Sequence, residues 1–186
     1  MDEKKCVMKS LFKKIIAIMT ISAIFINSAN AIYVHRYQQE QSKWCWAASA
    51  QMMGHTMGRD VTQSAIVDYV LGTVANVSSG DIENEKKAVN YATLRNTTLR
   101  RSALSFAASK SELDSGEPIY IQIIWDAGGA HAVVVSGYNV SANTLTVVDP
   151  WTGCGTKVFS YNSMITGCDF QSGSGKWSNS ITIRRR

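Results

Sequence analysis

The chain has 186 residues, of which 45% are hydrophobic and 18% charged. That is enough apolar material for one well-cored domain, and too much for a disordered or tail-like protein. The formal charge of +5 gives little ground for a nucleic-acid role, because Lys4, Lys5, Lys9, Lys13 and Lys14 stand together at the N-terminus against Asp2 and Glu3. The remaining basic run, Arg184-Arg185-Arg186, has no interleaved aromatics and reads as a solvated tail.

The N-terminal lysines precede a largely apolar run, Ile15 to Ile26, and then Ala29-Asn30-Ala31. This order of basic, apolar and small residues predicts a secretory signal peptide over residues 1–31, cleaved after Ala31. The run is short for a membrane span, which takes about 20 apolar residues. The expectation is therefore a secreted protein, periplasmic or extracellular, with no stable membrane anchor after cleavage, and a single domain over residues 32–186.

Ser42 is a candidate N-cap for a helix from Lys43 to about Met57, stopped by Gly58. Trp46, Ala50, Met53 and Met57 fall on one helical stripe and predict its buried face. Thr62 caps a second helix ended by Gly72, and Asp81 opens a third, with Glu83 and Lys87 spaced for an ion pair. Ser109-x-x-Glu112 reads as a capping box for a short fourth helix that stops before Pro118. After Pro118 the texture changes to strands: "IYIQIIW", "HAVVVSGY", "TLTVVDP", "TKVFSY" and "WSNSITI". Helices first and an antiparallel sheet second predict an α+β fold, with a cleft between the two halves.

Cys45 lies between Trp44 and Trp46 in the first turn of the first predicted helix. Open backbone N–H groups and the helix dipole favour negative charge there, which suits a thiolate nucleophile; a buried structural thiol is the competing reading. A nucleophilic Cys needs a base, and the base needs an orienting group. His35 lies in the N-terminal segment, and His55 is about 15 Å along the same helix by helical rise. His131 remains, at the head of a strand behind a Gly-rich approach. Pairing this strand with the next across a loop near Val140 to Ala142 brings His131 opposite Asp149 within the uncertainty of register. Asp126 is the second choice as orienter. An oxyanion hole needs a second donor beside the Cys45 N–H, and Gln38, Gln39 and Gln41 are all available.

Three cysteines follow the leader, an odd number. Export would pair Cys154 with Cys168 in a disulfide and leave Cys45 free; the alternative keeps all three reduced. No His and Cys spacing fits a zinc site, so neither a metal nor another cofactor is expected. "GSGK" ends at Lys176 followed by Trp177, which is not a P-loop.

Together these motifs resemble papain-like cysteine peptidases. "WCWAA" follows a Gln, and "GGAH" and "DPW" come later in the same order. The likeness spans Gln38 to Ser160 and is similar to a short bacterial branch akin to secreted avirulence-effector-type proteases. The resemblance implies a papain-like fold. It also implies Cys45 as nucleophile, His131 as acid and base, Asp149 as orienter where plant papain has Asn, and Gln39 in the oxyanion hole. Trp46, Gly129 and Trp151 are the implied substrate-side residues, Trp151 shielding the His–Asp pair from water. The expected activity is hydrolysis of a protein or peptide substrate through a thioester. Deamidase, transglutaminase or amidase chemistry on the same triad and a non-catalytic binding module are the alternatives, and an inhibitor or immunity protein is an unassigned partner.

Overall fold

A computed structural model of the chain describes residues Ala29–Arg184. Cys6, nearly all of the expected leader and the last two arginines lie outside them.

The order is β1 (Ala29–Ala31), α1 (Cys45–Thr56), α2 (Gln63–Leu71), α3 (Ile82–Thr93), β2 (Thr97–Arg100) and α4 (Phe106–Asp114). Then come β3 (Ile119–Trp125), β4 (Ala130–Asn139), β5 (Thr144–Val148), β6 (Thr156–Ser160), α5 (Tyr161–Thr166), β7 (Cys168–Phe170) and β8 (Gly173–Ile183). The strands form one antiparallel sheet in the order β2-β8-β3-β4-β5-β6, with β1 added to β4 and β7 to β8. The α+β architecture expected from the sequence is the observed one. Ala29–Ala31, expected to end the leader, pair here with Gly137–Asn139.

The sheet is covered on both faces, so β4 reads as an unbroken apolar run rather than an alternation. Ala132 and Val134 face the helical core with Trp46, Met52, Met53, Ile66 and Val89. Val133 and Val135 face a second core with Leu113, Leu145, Phe159 and Trp177. Helix α1 is buried from Trp46 to Gly54. It approaches α3 so closely that a Cβ on Gly54 would stand 2.7 Å from the Ala92 carbonyl oxygen.

Several local expectations shift. Helix α1 begins at Cys45 with Trp44 at the N-cap; the Ser42 hydroxyl instead accepts from Asn76 Nδ2 at 3.0 Å. Helix α4 begins earlier than expected, because Ser105 supplies the cap and Ser109 lies buried within the helix. Lys87 does not pair with Glu83 but donates to the Val70 carbonyl, while Glu83 meets Arg101 and Lys86. Thr62 and Asp81 cap α2 and α3 as the sequence indicates, and Gly72 ends α2 in the left-handed region at φ 72°.

Candidate active site

The two tryptophans around Cys45 fix where α1 starts. Trp44 Nε1 donates to the Ala75 carbonyl at 2.9 Å, and Trp46 Nε1 to that of Val77 at 3.4 Å. Both indoles therefore grip one loop, and the half-buried Cys45 is held between them at the first helical position. No side chain caps this end of α1, so the first-turn N–H groups keep their capacity for negative charge. One turn on, Ser49 donates to the Ala132 carbonyl at 2.9 Å, joining α1 to β4 beside His131.

His131 is 1% exposed and Asp149 2%. His131 Nε2 and Asp149 Oδ1 are 2.8 Å apart. They are not direct cross-strand partners: the β4–β5 ladder runs from Asn139↔Thr144 to Val134↔Val148, with a bulge between Val135 and Gly137. Asp149 instead reaches the ring from just beyond the end of β5. Its placement is local chemistry. The carboxylate accepts from the Trp151 N–H at 2.8 Å, closing an Asx turn over Pro150, and its other oxygen accepts from Ser172 Oγ at 2.7 Å. Asp126 is no partner of the ring; its backbone N–H donates to the Ser174 carbonyl at the start of β8.

His131 Nδ1 is buried, and Cys45 acts on the ring both by hydrogen bonding and by charge. Burial opposes a charge on His131, but the Asp149 hydrogen bond and the nearby Cys45 outweigh it and raise the pKa from 6.5 to about 9. Burial likewise opposes the Asp149 carboxylate. The bonds from His131, the Trp151 backbone and Ser172 prevail and lower its pKa. The pair thus favours an imidazolium facing a carboxylate.

Two rings enclose the imidazole. Trp125 stacks on it with centroids 5.3 Å apart and planes at 15°. Trp151 meets it edge to face at 5.6 Å and is itself 40% exposed. The turn from Trp125 to Gly129 makes this approach: Gly128 and Gly129 hold φ of 90° and 88°, conformations that suit glycine.

A cleft of about 570 Å³ opens beside Cys45. Trp46, Gly129 and Trp151 line it, together with Lys43, Glu85 and Gln122. Gln39 is placed differently. It is buried, and its Nε2 donates to the carbonyls of Gln41 at 2.9 Å and Ser42 at 3.0 Å, so both amide hydrogens are taken by the turn that leads into Cys45. Its Oε1 is buried without a partner.

The expected Cys154–Cys168 disulfide is absent, and both thiols are free. The two cysteines sit in different surroundings, Cys154 near Asp149 and Arg36, Cys168 near Asp169 and Lys157. The closure that a bridge would have supplied comes from an amide: Gln171 accepts from the Gly155 N–H at 3.0 Å and donates to its carbonyl at 3.2 Å. Among the described residues no group of three or more His, Cys, Asp or Glu side chains is placed to hold a metal ion.

Sequence reasoning missed Trp125, Ser172 and Arg36. Arg36 Nε donates to the Asp149 carbonyl at 2.7 Å and Nη2 to that of Trp151 at 2.6 Å. The Gln39 N–H donates to Pro150 between them at 2.9 Å. Only Trp125 had a visible signal, as the aromatic end of a predicted strand just before the glycines.

The Peptidase_C39 like family matches residues 31–177. This chain belongs to that family. Membership supports cysteine-hydrolase activity on peptide or protein substrates. No curated protein matches the chain. Among solved structures, the peptidase domain of Streptococcus ComA, a bifunctional ABC transporter involved in a quorum-sensing pathway, shares 16% identity at a TM-score of 0.59. The match covers 81% of this chain and all of that one. A C39-like peptidase from Bacillus anthracis shares 12% at 0.59, covering 86% and 99%. A double-glycine-motif protease from an AMS/PCAT transporter, solved with the leader peptide, shares 17% at 0.52, covering 83% and 95%. At these identities the likeness is one of fold.

Two expectations are corrected by these matches. The papain-like likeness stands, but within the Peptidase_C39 like family rather than an avirulence-effector branch. The expectation of a freely secreted protein is corrected: relatives in fold include the peptidase domain of an ABC transporter and a protease from an AMS/PCAT transporter. Among the described residues no helix is long and apolar enough to cross a membrane.

Proposed function

We propose that the chain is a cysteine endopeptidase with Cys45 as nucleophile, His131 as acid and base, and Asp149 as the group that orients the ring. The observation that carries this reading is the buried imidazole with one nitrogen on Asp149 and the other left for Cys45 beside an open cleft. Cys45 Sγ attacks the substrate carbonyl carbon, and the negative charge on its oxygen rests against the Cys45 N–H and the open end of α1. The imidazolium of His131 protonates the leaving amine as the C–N bond breaks, leaving a thioester. His131 then takes a proton from water as the water oxygen attacks the thioester, and the C–S bond breaks to release the acid and restore the Cys45 thiolate beside the imidazolium.

Gln39 joins the oxyanion hole only by exchanging one of its two carbonyl partners for the substrate oxygen; in its present place it braces the turn before Cys45. An extended peptide is the substrate we infer, in keeping with the similar transporter protease solved with its leader peptide. The residues from Ile32 onward form the peptidase domain in this reading.

The test is mass spectrometry of a mixed peptide library digested by the parent enzyme beside Cys45→Ala. New N-termini made only by the parent are expected. Identical digests, or ammonia release without new termini, would overturn the endopeptidase reading.

A further inference from the structure

The cleft beside Cys45 is lined by a buried carboxylate that the proposed chemistry does not use. Glu85, on the first turn of α3, is 4% exposed and still lines the cleft. Ser79 Oγ at 2.9 Å and Gln122 Nε2 at 2.8 Å both donate to its Oε1, while Tyr120 Oη at 2.8 Å alone donates to Oε2. Asn179 fixes Gln122 in turn, giving its Oε1 a hydrogen bond at 2.6 Å.

Every donor in this network is neutral. Among the described residues no Lys, Arg or His is paired with Glu85, and Arg101 on the rim of the cleft is engaged by Glu83 at 3.1 Å. A carboxylate offers about four lone-pair positions, and three are filled. The vacant position belongs to Oε2. A carboxylate buried without a cation is costly, and a well-packed neutral side chain would fill the same space at less cost. Burial is the largest influence on Glu85 and raises its pKa, against the three hydrogen bonds that lower it; Asp81 adds to the rise. A positive charge arriving in the cleft favours the carboxylate.

We infer that Glu85 forms the floor of a substrate subsite that takes a basic side chain, lysine or arginine, close to the bond being cut. Its Oε2 receives the cationic N–H, and Asp81 at the rim adds attraction. This subsite rests on the endopeptidase reading above and adds a preference to it. Glu85 is a specificity residue rather than a participant in bond breaking.

The experiment starts from a peptide cleaved in the library digest. Arginine is placed in turn at each position from four before to three after the cleaved bond, and each peptide is matched by one with citrulline there, which keeps the shape but loses the charge and exchanges one terminal amino group for a carbonyl oxygen. At one position the parent enzyme is expected to favour arginine about tenfold or more in kcat/KM, equivalent to about 1.4 kcal/mol. Glu85→Gln brings that ratio close to one. Because both peptides are measured on the same preparation, the ratio does not depend on the fraction of variant that folds. Equal cleavage of arginine and citrulline peptides at every position by the parent would overturn the subsite while leaving the peptidase. So would a preference that survives Glu85→Gln. A parent that cleaves nothing in the library sinks both.

Discussion

Replacing Asp149 by Asn tests the electrostatic heart of the site with almost no change of shape. The amide oxygen can still accept from His131 and the Trp151 N–H, and the amide nitrogen can donate to Ser172 once that hydroxyl turns. What is lost is the negative charge. The His131 pKa is raised from 6.5 to about 9, and at about 1.36 kcal/mol per unit this amounts to roughly 3 kcal/mol in favour of the imidazolium. Asp149 and Cys45 share in that rise, so the variant removes only the part due to Asp149. A downward move of the alkaline limb of kcat/KM on the order of one unit is expected, with a fall in its plateau. The same charge acts on stability. The folded pKa of His131 lies above its unfolded value, so its contribution is complete below about 6.5 and lost as the pH climbs through about 9. Asp149 is shifted the other way, so its contribution is present above the ordinary carboxylate range and lost as the pH falls through its lowered value. The assays are a pH–rate profile on a cleaved library peptide and thermal melts across the same range. An alkaline limb that stays in place in Asp149→Asn, with parent and variant melting alike from pH 6 to pH 10, would refute the coupling.

Three further outcomes follow from the geometry. Arg36→Ala removes two charge-assisted hydrogen bonds to the Asp149 and Trp151 carbonyls; a loss of about 2–3 kcal/mol in chemical denaturation and a lower kcat are expected. Gly54→Ala places a methyl group 2.7 Å from the Ala92 oxygen, so α1 must separate from α3, at about 1–3 kcal/mol of stability. Since Cys154 and Cys168 are free, a reductant such as dithiothreitol should leave the melting temperature unchanged; a fall of several degrees would restore the disulfide.

Much of the site could be read in the sequence because its members are set by local patterns. Asp149 stands before Pro150, where the chain turns and its carboxylate meets the Trp151 N–H. Cys45 is the start of a helix whose buried stripe is plain in Trp46, Ala50 and Met53. The errors arise where distant segments meet. The sequence offers Ser42 as the cap of the first helix, but Asn76 from another loop claims that hydroxyl and the paired indoles set the boundary instead. β1 and β2 are three and four residues long and depend on partners far along the chain, and β7 is three residues long, too short for periodicity to reveal although it pairs with the adjoining start of β8. Gln39 sits at the family spacing, yet spacing carries no information on the two carbonyls that hold its amide. Glu85 shares its helix with Glu83, Lys86 and Lys87, and only the convergence of Ser79, Tyr120 and Gln122 distinguishes it.

Arg36 and Gln39 together hold the carbonyls of Asp149, Pro150 and Trp151, three in succession. Gln39 also braces the turn that delivers Cys45. One short stretch of backbone therefore works as a common rein on sulfur and carboxylate, and neither can drift without drawing the other along. Whatever tugs on the segment just ahead of Cys45 reaches Cys45 and Asp149 at once.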